Sequence, residues 1–169
     1  MGVTIHFDGQ LLDERAFRGL LGTVTAFANE RAWKTESIDS EMVTLLRVRD
    51  EEDCDYRGPV KGIAVYPAED CDPVRLEFDS DLYVQEYTKT QFAGIETHLQ
   101  VLSLLTALRP FFRDLRVEDE GEYWETQDVQ VLSEHMNRIQ QVIDEELRNN
   151  PAVRTKVKTP EGRIMDLIS

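Results

Sequence analysis

Apolar and polar positions alternate at the start of the chain. Val3, Ile5 and Phe7 interleave with Thr4 and His6, the period of a half-buried strand, and Asp8-Gly9 supplies a turn signal. From about Asp13 the period lengthens. Phe17, Leu20, Leu21, Val24, Phe27 and Ala28 recur three and four apart and predict one apolar stripe of a helix, with Asp13 and Glu14 at its positive end. Gly19 and Gly22 each weaken that helix by up to ~1 kcal/mol relative to Ala, and are expected where it comes close to a sheet. Lys34 to Glu41 has no apolar period and reads as a loop.

Four strand patterns follow: Val43–Val48, Val60–Tyr66, Val74–Asp79 and Leu82–Thr88. The connectors Arg49–Pro59 and Pro67–Pro73 are short enough for an antiparallel meander. After Gly94, a helix is predicted from Ile95 to about Arg113, with Ile95, Leu99, Leu102, Leu105, Leu108 and Phe112 on one face. Pro110 is expected to kink it or end it early. Leu115–Val117 reads as a short strand. Asp128 is a suitable cap for a third helix, whose stripe is Val129, Leu132, Met136, Ile139, Ile143 and Leu147, and Asn150-Pro151 stops it. The end predicts a hairpin, Val153–Lys158 and Arg163–Ile168 flanking Thr159-Pro160-Glu161-Gly162.

Strands grouped in the middle and helices around them predict an α+β fold. The expected form is a mixed, mostly antiparallel sheet of five or more strands, with about three helices packed largely on one face. No linker, repeat or low-complexity stretch divides residues 1–169, so one domain is expected, a size that builds a core without disulfide or metal staples.

Charge changes the picture more than composition does. Thirty-three acidic residues against nineteen Lys and Arg give a formal charge of −14. Binding nucleic acid or anionic lipid depends on Lys and Arg replacing counterions, so neither is an expected partner. The same charge keeps a protein soluble, or draws it to a basic partner. The basic residues gather at the end: from Arg148 onward five Lys and Arg face only Glu161 and Asp166. No apolar run has the ~20 residues of a membrane helix, and the first residues lack the basic and apolar regions of a signal peptide. A cytoplasmic location is the expectation.

Cys54 and Cys71 each lie between two aspartates, which disfavours a thiolate. The strand Val60–Tyr66 between them, at ~3.3 Å per residue, would hold them ~20 Å apart, so a disulfide is not expected.

The candidate partner-binding residues are Glu118, Asp119, Glu120, Glu122, Tyr123, Trp124 and Glu125. Five carboxylates crowd two aromatic rings there, a composition suited to meeting Lys and Arg on a partner around a buried aromatic anchor. The competing reading is a solvated loop with Trp124 in the core. The spacing does not match a calcium loop, no Cys/His cluster matches zinc, and neither a metal nor a cofactor is expected. A candidate ligand pocket between sheet and helices comprises Lys89, Thr90, His98 and Trp124, because backbone N–H groups at the helix start after Gly94 could hold an anion with Lys89 and Thr90 assisting. The competing readings are an ordinary strand-to-helix connection and, for His98, a buried side chain satisfied by a hydrogen bond.

No nucleophile elbow and no dinucleotide fingerprint is present, which weighs against an enzyme. The leading expectation is a small bacterial-type protein-interaction module, in its most specific form an immunity- or antitoxin-like inhibitor of a basic partner. The rival expectation is a small-molecule-binding protein or enzyme using the pocket above. A third is a homo-oligomeric scaffold, joined through the edge of the C-terminal hairpin.

Overall fold

The computed structural model describes residues 2–168. Strand β1 (Thr4–Leu11) buries Ile5, Phe7 and Leu11 on one face, the alternation its sequence carries. Asp13 caps helix α1 (Glu14–Glu30) by accepting the Ala16 N–H at 2.8 Å, and Phe17, Leu20, Val24 and Ala28 are its buried stripe. Gly19 does mark a close approach: a Cβ there would sit 2.7 Å from the Phe111 ring, which lies beyond the second helix rather than in a sheet. Gly22 faces open space.

The segment read as a loop from Lys34 to Glu41 is part of a strand, β2 (Lys34–Leu45). It shows no apolar period because it is exposed along almost its whole length. Its strand geometry comes from antiparallel pairing with β5 (Tyr56–Tyr66), from Lys34 opposite Tyr66 to Leu45 opposite Tyr56, with one irregularity between Ser40 and Val43. Between these two strands lies a small hairpin, β3 (Val48–Arg49) and β4 (Glu52–Asp53). Its turn residues Asp50 and Glu51 both have positive φ, 50° and 66°, the primed turn whose twist matches a two-residue hairpin.

β5 pairs antiparallel with β6 (Val74–Phe78) on its other side. β7 (Tyr83–Lys89) runs beside β6, joined by hydrogen bonds from Asp79 N–H to Tyr83 O and from Asp72 N–H to Lys89 O, both 3.0 Å. β1 lies between β7 and β8 (Phe112–Asp119), antiparallel to both. β7 and β8 are therefore parallel to each other, and helix α2 (Ile95–Leu108) connects them across β1. Pro110 ends α2 as expected, in a tighter helical turn at Arg109–Phe111. β8 is longer than the three residues its apolar pattern suggests, because pairing with β1 carries exposed residues such as Arg116 and Glu118.

A short helix α3 (Tyr123–Thr126) leads into α4 (Val129–Asn149), where the Asp128 side chain accepts the Gln130 N–H at 2.8 Å. Of the predicted α4 stripe only Leu132 and Ile143 are fully buried. The C-terminal hairpin is present as β9 (Val157–Lys158) and β10 (Ile164–Met165), extended by a bridge between Arg154 and Ile168.

The molecule is thus α+β with antiparallel sheets. One contiguous core joins Phe17, Leu20 and Val24 of α1, Val101, Leu102 and Leu105 of α2, and Ile5, Phe7, Val65, Leu76, Phe78 and Val84 of the strands. Phe78 lies edge-on to Phe17 with centroids 5.9 Å apart, and 6.1 Å from Phe112. No helix of the described residues is long and apolar enough to cross a membrane.

Candidate interaction site

The acidic aromatic segment does not form one continuous acidic face. Asp119 is fully buried at the end of β8, where it accepts N–H groups from Gly121 at 2.8 Å and Trp124 at 3.0 Å. Glu120 accepts the Thr4 N–H at 3.0 Å and lies 3.3 Å from the His6 ring. Glu122 pairs instead with His135 of α4. Tyr123 and Trp124 are half-buried against the core, and the Arg109 guanidinium stands 5.3 Å over the Trp124 ring. Glu118 lies opposite His6, and Glu125 is exposed on α3.

The four residues read as a ligand pocket are not brought into one cavity. Thr90 and His98 do meet, Oγ1 to Nδ1 at 2.6 Å, but both are fully buried. His98 Nε2 continues the chain to Asp119 at 3.1 Å. With Asp119 ionised, Nε2 donates to it, and in a neutral imidazole Nδ1 accepts the Thr90 hydroxyl. Burial alone pushes the Asp119 carboxyl up, but the hydrogen bond from His98, with those from the Trp124 and Gly121 N–H groups, outweighs it and holds the carboxyl below its usual range. Nucleophile, imidazole and carboxylate are thus in line yet closed to any substrate. The carboxylate that meets His98 is Asp119, whereas Glu122 pairs with His135. Lys89 pairs with Asp166 at 2.9 Å in a groove of about 640 Å³ between α4 and the C-terminal hairpin. Trp124 lines a separate groove of about 320 Å³.

Both cysteines are free, Cys54 exposed and Cys71 buried. Burial, and then the Asp72 charge, push the Cys71 thiol up to about 12, far from a reactive thiolate.

The exposed chemistry concentrates elsewhere, on the arm formed by residues 34–55. This stretch holds eight acidic residues, Glu36, Asp39, Glu41, Asp50, Glu51, Glu52, Asp53 and Asp55, all exposed, against Lys34, Arg47 and Arg49. Arg47 is not free: buried between the rings of Tyr56 and Tyr83, it pairs with Asp79 and donates to Tyr83 O at 3.1 Å. Beside the carboxylates, Met42, Leu46 and Val48 are 63%, 81% and 52% exposed. The Gln85 amide ties the arm to β7, bonding Val48 N–H and C=O at 2.9 Å each. Leu46 and Val48 then border a groove of about 560 Å³, whose far wall is His6, Asp8, Tyr87 and Glu118. Glu118 is thereby the one member of the predicted acidic segment that faces the arm.

Sequence reasoning treated Arg49–Pro59 as a connector and missed this site. The signal was present in the run Asp50-Glu51-Glu52-Asp53 shortly after Leu45-Leu46. No protein-family model matches the chain, and no curated protein or solved structure matches it significantly.

Proposed function

We propose that the chain is a protein-interaction module that captures a basic partner on the acidic arm, in its most specific form an immunity- or antitoxin-like inhibitor acting in the cytoplasm. The observation that carries this reading is the coincidence of Met42, Leu46 and Val48, exposed apolar side chains, with eight exposed carboxylates on one arm. An apolar centre excludes water and supplies binding energy, while a charged rim steers and selects the partner. Free Cys54 on the surface suits a reducing compartment.

Panning a random displayed-peptide library on the protein tests the reading. Recovered peptides should be rich in Lys and Arg and carry a large apolar residue, and Leu46→Asp should abolish the enrichment without changing the melting temperature. Neutral or acidic peptides, or enrichment that survives Leu46→Asp, would overturn it.

A further inference from the structure

Strand β2 ends its sheet. β5 pairs with one edge, and no strand among the described residues pairs with the other. In an antiparallel edge strand every second residue turns its N–H and C=O outward, leaving a template for another chain. Proteins blunt such edges with short strands, lysines, prolines or bulges. β2 has twelve residues and no proline, and its only lysine, Lys34, is the first of them. The irregularity between Ser40 and Val43 leaves Lys34–Ser40 as an uninterrupted ladder. Neither face of this stretch is covered, only Ile38 being half-buried, so core packing does not explain why the strand extends this far.

Charge decides what can pair there. Glu36, Asp39 and Glu41 are exposed along the strand. A second copy would set these carboxylates against their own kind on a molecule of charge −14, an arrangement that costs free energy. Glu36 and Asp39, three apart in the ladder, lie on opposite faces of the strand, so an extended segment with consecutive Lys or Arg residues places a cation beside each.

We infer that β2 takes up an extended basic segment of the partner by strand addition, main-chain hydrogen bonds along Lys34–Ser40 giving affinity, with Glu36 and Asp39 on the two faces of the ladder and Glu41 just past it selecting cations. The inference rests on the proposed capture of a basic partner, and adds how that partner is held.

The test is amide hydrogen exchange of the whole chain by NMR, with and without a blocked synthetic peptide of consecutive lysines. The expected result is slowed exchange on alternate amides between Lys34 and Ser40. Asp39→Lys with Glu41→Lys, both exposed positions, should weaken binding roughly tenfold while leaving the melting temperature unchanged. Binding that protects only the Val48 region, or that survives the double substitution, overturns strand addition and leaves basic-partner capture standing. Protection of the same amides without peptide, together with dimerisation, overturns it in favour of a second copy. If neither this peptide nor a library-selected basic peptide binds, both readings fail.

Discussion

At the scale of single residues, the buried line from Thr90 through His98 to Asp119 ties the end of β7, the first turn of α2 and the end of β8. Its exclusion from solvent makes it a fastening. His98→Ala leaves the Asp119 carboxylate without its main partner and should destabilise the fold by about 3–5 kcal/mol, read from urea unfolding. The pH dependence has a definite sign. The folded carboxyl titrates below its unfolded value of 3.8, so its contribution is complete above about pH 4–5 and is lost as pH falls through the folded value. The stability gap between the native chain and Asp119→Asn should therefore be constant near neutrality and shrink below about pH 4. A gap that instead grew in acid would mean the folded carboxyl titrates above its unfolded value. At Gly62 a Cβ would fall 1.7 Å from the Leu76 carbonyl oxygen, so Gly62→Ala forces β5 and β6 apart. It should cost about 1–3 kcal/mol or more and lower the melting temperature.

Among the elements, β2 is held by its pairing with β5, and side chains fasten the far end of the arm. Gln85→Ala removes both hydrogen bonds to Val48 and should speed exchange of the Val48 amide, while global stability falls by only about 1 kcal/mol. An unchanged Val48 amide would show that Gln85 is not what fastens this end of the arm. The elements that were legible in the sequence are those that bury a face. β1, α1, α2, β6 and α4 all carry a period that packing reads directly. The first part of β2, Lys34 to Glu41, was invisible because neither of its faces is buried, whereas the end of β2 fell within the strand pattern Val43–Val48; pairing with β5 is what makes the first part a strand. The site was hidden for the same reason. A run of acids beside two leucines reads as a connector until the fold ties it to β7. The segment around Trp124 looked like a surface because its composition was right, yet Asp119, Glu120 and Glu122 there meet partners within the chain.

For the molecule as a whole, the charge of −14 acquires a direction. Eight exposed carboxylates lie on the arm, and Arg47, one of the three cations there, is consumed by Asp79. Two cations of the basic C-terminal stretch are likewise engaged within the molecule, Arg163 with Glu86 at 2.5 Å and Lys156 with Asp70 at 3.2 Å, while Arg148, Arg154 and Lys158 are exposed. The arm keeps an excess of exposed acids over cations, and a basic partner should be steered to it from a distance. The most direct measurement is the affinity of a library-selected Lys/Arg-rich peptide at ~0.1 M and ~1 M salt, where the screening length falls from ~10 Å to ~3 Å. Capture by the arm predicts a steep loss of affinity at the higher salt, and little binding at either salt after Asp50→Lys, Glu51→Lys and Glu52→Lys are combined. Equal affinity at both salts, or full binding by the triple variant, would contradict it.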